Sequence, residues 1–217
     1  MYNALCSWSG GKDSCFALIK SRELGYTPKV LLNVLNEEGK ISRSHGIPSD
    51  ILIAQANAAG LPIHMVKSSW QDYEKNFTAA LSLLKNTYDL QAAIFGDIDL
   101  QAHRDWEEKV CSNAGLKAVL PIWKEERKNI ILQVLHSGIK TMIVSCNDVM
   151  GEIFLGKVLN EDVIKELENL GVDVCGENGE FHTLVLECSL FTTPLQVNVT
   201  RSLKHEHYWF SELELVQ

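Results

Sequence analysis

The sequence predicts an α/β fold, a parallel sheet with helices on both faces, followed by a smaller α+β region. Three observations predict it. Short apolar runs alternate with helically spaced segments through residue 123, with short connections, and that order places strands side by side in parallel. A glycine-rich turn, SGGKDS at 9–14, joins the first run to the first helix. The last forty or so residues abandon the alternation for strand-like segments separated by turns.

Residues 3–8 (NALCSW) form an apolar run that reads as a buried strand. Phe16, Ile19, Lys20, Glu23 and Leu24 then fall at helical spacing over 14–24, and Gly25 supplies a stop. A strand over 29–35 is followed by a helix from Pro48 and Ser49 to Gly60, then a strand over 62–66. Trp70, Tyr73, Phe77, Ala80, Leu81 and Leu84 give a helix over 70–86, with Trp70 and Phe77 in the core alongside Trp106. A strand at 92–97, a helix at 101–114 ending at Gly115, and a strand at 117–123 complete the alternation. The pattern divides the chain near residue 124, into domains 1–124 and 125–217, without a Gly/Ser linker. A helix over 125–137, a strand over 141–146, a helix over 160–170 and the segments HTLVLEC, LQVNVT and HYWFSELEL make up the second domain.

Composition narrows the function. Of 217 residues, 46% are hydrophobic and 22% charged, which are globular values and exclude a disordered chain. With 28 acidic and 20 basic residues the formal charge is −8, which argues against broad nucleic-acid binding but leaves room for an anionic small ligand held by local cations. The longest stretch without Asp, Glu, Lys or Arg, 51–66, contains Gln55, Asn57, Pro62 and His64 and does not suit a bilayer. The N-terminal residues lack the features of a signal peptide, so a soluble, cytoplasmic protein with no membrane partner is expected. Six cysteines include no C-x-x-C pair, which disfavours structural zinc; Cys6 and Cys15, flanking the glycine-rich turn, are the two positions to watch for redox sensitivity.

The chemistry concentrates at Ser9, Gly10, Gly11, Lys12, Asp13 and Ser14. Two glycines let the backbone approach a ligand, a helix start supplies N–H groups, and the hydroxyls and Lys12 add donors and charge. Together they predict a nest for a polyphosphate. Lys12 is expected at an exposed loop-to-helix junction, on the β/γ-phosphates. It is not a Walker A loop, because Asp13 rather than Ser or Thr follows Lys12. Asp13 is a candidate to bind Mg²⁺ or to cap the loop. Gly96 and Asp97 end the fourth predicted strand, on the rim where open parallel sheets bind ligands; Asp97 suits Mg²⁺, ribose or a helix cap. Arg43, His45 and Gly46 lie in a loop on that rim, positioned for a phosphate, a planar base or solvent. Arg104 is a candidate phosphate or carboxylate contact, or an intrahelical partner of Glu107 or Glu108. Glu177, Asn178, Gly179, Glu180, His182 and Thr183 form a dense polar segment in which two glutamates repel unless a cation stands between them. His205 and His207 share one strand face as a weak metal site or a surface pair.

SGGKDS resembles the signature of the PP-loop (N-type) ATP pyrophosphatases. The segments RSHGIP (43–48), GDIDLQAHRDWEEKVC (96–111), LPIW (120–123), FLGK (154–157) and GENGEFHT (176–183) extend the resemblance nearly end to end, to the diphthine–ammonia ligase family in its short form. The resemblance implies a Rossmann-like sheet of the adenine nucleotide alpha hydrolase (HUP) type, with ATP and Mg²⁺ as cofactors. It implies that a carboxylate attacks the α-phosphorus of ATP, giving an acyl-adenylate and pyrophosphate, and that ammonia then displaces AMP. The implied acceptor is diphthine on elongation factor 2, which carries a trimethylammonium group that Glu177, Glu180 and the faces of Trp8 or Phe181 would hold. The family pattern adds Arg104 and Lys157 to Lys12 and Asp13 as catalytic residues, and leaves a homodimer open. A different acceptor, a small molecule or a tRNA that is to be thiolated, and a nucleotide sensor without turnover are the alternatives.

Overall fold

The computed structural model describes residues 1–216. The first sheet contains β1 (Tyr2–Ser7), β2 (Tyr26–Leu35), β3 (Ile63–Lys67), β4 (Ala92–Ile94) and β5 (Lys117–Val119), in the order β3-β2-β1-β4-β5. Every neighbouring pair is parallel. The connecting helices α3 (Tyr73–Tyr88) and α4 (Gln101–Ala114) cover one face, where Phe77, Leu81, Leu84, Val110 and Cys111 pack with Leu5, Leu32, Ala93 and Phe95. Side chains alternate along β1, so Cys6 points to the other face, and there its Sγ lies 3.7 Å from Ser14 O in α1 (Lys12–Glu23). A parallel sheet covered on both faces is thus the arrangement, and it places the end of β1 and the start of α1 on the carboxyl rim.

The remaining elements are α2 (Ser49–Ala58), α5 (Arg127–His136), β6 (Lys140–Asn147), α6 (Glu161–Asn169), β7 (Phe181–Glu187), β8 (Val197–His205) and β9 (Tyr208–Leu215), with a 3-10 turn at Glu152–Phe154. The four strands form an antiparallel sheet in the order β7-β6-β9-β8. Asn160 caps α6, its side-chain oxygen accepting from Val163 N–H at 2.9 Å. Met1–Ser9, Asp13–Arg43 and Gly60–Glu125 make one compact unit; Gly10–Lys12, Ser44–Ala59 and the residues from Glu126 onward make the other. Three residues of the glycine-rich turn and all of α2 therefore cluster with the C-terminal strands.

Several expectations are corrected. Trp70 is not a core residue: it precedes α3, is 67% exposed, and stacks on Tyr73 with the Arg43 guanidinium 4.7 Å from its ring centre. Tyr73, Phe77 and Trp106 fill the space inside, so Trp70 is left out. The strands at 92–97 and 117–123 are shorter than expected, because β4 ends at Ile94 and residues past Val119 turn. His205 and His207 do not share a strand face, since His205 ends β8 and Glu206 takes a left-handed φ of 51° in the hairpin before β9. Cys6 and Cys15 are fully buried, and burial pushes the Cys6 thiol far above its usual range, so neither offers the accessible thiolate that redox chemistry needs. No helix among the described residues is long and apolar enough to cross a membrane.

Candidate active site

In the unit that contains β7, the turn is held residue by residue. Gly10 has φ +86°, and a Cβ there would stand 2.9 Å from Ile47 Cδ1, so its glycine is required on both counts. Its carbonyl accepts from Val185 N–H at 2.9 Å and from Gln55 Nε2 at 3.0 Å. The same Gln55 nitrogen donates to Val185 O at 2.8 Å. Gly11 abuts the His45 ring, where an added Cβ would fall 2.5 Å from Cε1. Lys12 N–H donates to Thr183 Oγ1 at 3.1 Å.

The Lys12 side chain is 2% exposed, not at an exposed junction. Its Nζ donates to Cys175 O and stands 5.3 Å from the Phe181 ring centre. A buried ammonium needs such partners, because leaving one without them costs several kcal/mol. His45 Nδ1 lies 3.0 Å from Thr183 O, and a carbonyl only accepts, so Nδ1 carries the proton. Loss of hydration lowers the imidazole to about 4; the Thr183 carbonyl opposes this and the Lys12 charge adds to it. His45 is therefore uncharged at neutral pH and brings no cation to a phosphate. Its ring packs on His182, centroid to centroid 4.5 Å.

Thr183 thus meets both Lys12 and His45, whereas Glu177 and Glu180 lie in the preceding turn. Glu180 accepts from Asn178 N–H and Nδ2, both at 3.1 Å, so amides rather than a cation share its charge. Gly179 O accepts from Tyr208 Oη at 3.0 Å, and Glu177 N–H donates to Asp173 Oδ2 at 3.0 Å. Trp8 and Phe181 are buried and cannot offer a face to a trimethylammonium group. Lys157 Nζ pairs with Glu166 and lies 4.5 Å from the Phe154 ring centre. Gln55 and the Cys175 carbonyl are the positions that sequence reasoning missed. A glutamine inside the apolar run ILIAQANAA was the available signal for the first; a backbone carbonyl leaves none.

In the other unit, Ser9 Oγ and Ser14 Oγ are 3.1 Å apart. Gly96 abuts the start of α1, its missing Cβ position 2.7 Å from Asp13 C and Ser14 N. The next residue, Asp97, holds His103 Nδ1 at 2.7 Å. Burial works against the Asp97 charge, but hydrogen bonds from His103 and Glu107 outweigh it and hold the carboxyl below its usual range. Arg104 pairs within its helix, donating from Nε to Glu108 Oε1 one turn on at 2.7 Å with its guanidinium 5.1 Å from the Trp123 ring centre. Among the described residues no three His, Cys, Asp or Glu side chains group to hold a metal.

Comparison with known proteins adds the following. Residues 2–118 match the family described as the diphthamide synthase N-terminal domain, and residues 126–217 match its C-terminal domain. A fission yeast (Schizosaccharomyces pombe) protein named diphthine–ammonia ligase is 30% identical over 91% of this chain; the chain spans 36% of that longer protein. A human protein of the same name is 26% identical, with 91% of this chain and 83% of the human protein covered. A solved structure described as a predicted subunit of tRNA methyltransferase from Methanocaldococcus jannaschii is 15% identical, with a TM-score of 0.49 over 87% of this chain and 98% of that one.

Proposed function

The chain belongs to the diphthamide synthase family, and we propose from that premise that it is an ATP-dependent, AMP-forming ligase that amidates diphthine on elongation factor 2. The observation that carries the chemistry is the SGGKDS turn, in which Gly10 and Gly11 bring the backbone close and Lys12 is fixed at its centre. In this reading Ser9, Gly10, Gly11, Lys12, Asp13 and Ser14 grip the pyrophosphate end of ATP, with Gly96 and Asp97 on the same rim. Residues 1–124 serve the nucleotide and 125–217 the acceptor, with Glu177, Asn178, Gly179, Glu180, His182 and Thr183 as the acceptor-side segment. Arg104 and Lys157 each release a carboxylate partner before meeting a substrate.

A carboxylate oxygen of the acceptor forms a bond to the α-phosphorus as the bond to the bridging oxygen breaks and pyrophosphate leaves. Ammonia then forms the C–N bond as the C–O bond to AMP breaks. The carboxylate is already a nucleophile, so the protein's contribution is positioning and charge stabilisation. Mg²⁺ asks for one or two carboxylates plus phosphate oxygens, which an ionised Asp97 with Asp13 would satisfy; when bound it supplies charge neutralisation on the phosphates. A cytoplasmic location is part of the same proposal.

ATP with Mg²⁺ should raise the melting temperature, since a ligand bound only by the native state stabilises it by mass action, about 2.7 kcal/mol at a hundredfold excess over Kd. AMP should do less, because it leaves the turn at 9–14 without a pyrophosphate. Equal shifts from adenosine and ATP, read by calorimetry or dye fluorescence, would contradict phosphate gripping.

A further inference from the structure

The ligase reading requires a second nucleophile, ammonia, and the groups described so far are assigned to ATP or to the acceptor. We propose that His45, oriented by the Thr183 carbonyl and backed by the His182 ring, binds the attacking ammonia through Nε2; this rests on the ligase reading above.

With Nδ1–H committed to Thr183 O, the neutral ring presents Nε2 as a pure acceptor. Nε2 forms no hydrogen bond with a described residue. An acceptor nitrogen does not pair with phosphate or carboxylate oxygens, which are acceptors themselves. Of the two small reactants, ATP offers donors at its ribose hydroxyls and adenine amine, and ammonia offers its N–H groups. The ring rests on Gly11, in the middle of the pyrophosphate-gripping turn. Ammonia attacks a carbon bonded to an α-phosphate oxygen, whereas the ribose hydroxyls and the adenine amine lie on the nucleoside side of the α-phosphate, away from the pyrophosphate. Position on the turn therefore selects ammonia.

Charge selects the same species. Ammonium, the dominant form at neutral pH, has no lone pair and cannot attack. Lys12, whose charge is felt at His45, repels ammonium and admits the neutral molecule. Among the described residues the imidazole meets the Gly11 backbone, the Thr183 carbonyl and the His182 ring, and it feels the Lys12 charge; none of these four is a carboxylate. A hydrogen bond from ammonia to Nε2 turns its lone pair away from the ring. That lone pair forms the C–N bond, the C–O electron pair leaves on AMP, and one proton of the nitrogen is lost to solvent water.

The test uses the full chain, diphthine-bearing elongation factor 2, ATP and ammonium chloride. His45→Phe keeps a ring against Gly11 and removes the acceptor; His45→Gln restores an acceptor oxygen. The expected result is a KM for ammonium raised about tenfold in His45→Phe, the scale of one neutral hydrogen bond. The KM for ATP stays unchanged, and His45→Gln recovers part of the loss. A raised KM for ATP with an unchanged KM for ammonium would place His45 on the nucleotide and overturn the proposal. No AMP from the wild-type protein would overturn the ligase reading and the ammonia site with it, an outcome visible before any variant is made.

Discussion

Lys12→Ala should lower AMP release about 10²–10³-fold, the range seen when one preorganised donor to a developing charge is removed. It should also lower the melting temperature, contrary to what an exposed lysine would do. The ammonium is buried, donates to Cys175 O and lies over Phe181, and its loss leaves that carbonyl without this donor. A buried polar group that loses its partner costs about 1–3 kcal/mol, and each kcal/mol moves the melting temperature about 2–4 °C for a chain of this size. Lys12→Met keeps most of the aliphatic stem and should recover part of the stability with none of the activity. AMP release and calorimetry on both variants check this. Near-normal release would remove Lys12 from the mechanism, and an unchanged melting temperature in Lys12→Ala would contradict the buried contact.

Gly96→Ala should be nearly as damaging, for a steric reason. The new methyl would stand 2.7 Å from Asp13 C and 2.7 Å from Ser14 N, and both are backbone atoms that no rotamer change can move aside. Either β4 or the first turn of α1 must shift. Overpacking of this kind costs about 1–3 kcal/mol in stability. The larger effect falls on turnover, since displacing the phosphate-gripping turn by about 1 Å is worth about 10²-fold. We expect a raised KM for ATP together with a lowered kcat. Wild-type kinetics in a folded Gly96→Ala protein would show that β4 does not position the turn.

The parallel sheet was legible because its signals are local. Helix 101–114 is bounded by Gly115, which takes φ +68° at the C-cap. The SGGKDS turn was legible for the same reason, as glycines, a charge and a helix start lie within six residues. What was not legible depends on partners far along the chain. Lys12 is buried by Cys175 and Phe181, 163 residues or more away, and nothing next to Lys12 announces them. His45 carries a cationic or neutral role until Thr183 O fixes its tautomer. Glu177 and Glu180 suggest a trapped cation until the Asn178 amides turn out to serve Glu180. Trp70 fits the helical period of α3 yet lies ahead of its first turn, which periodicity alone does not distinguish.

The central claim is that an acceptor carboxylate attacks the α-phosphorus of ATP. The most direct measurement labels that carboxylate with oxygen-18 and follows the label by mass spectrometry through a reaction with ATP and ammonium chloride. Attack at the α-phosphorus transfers one carboxylate oxygen, so the account predicts AMP carrying a single labelled oxygen, unlabelled pyrophosphate and an amide that retains the other label. Label in inorganic phosphate with ADP as the nucleotide product, or AMP without label, would contradict it.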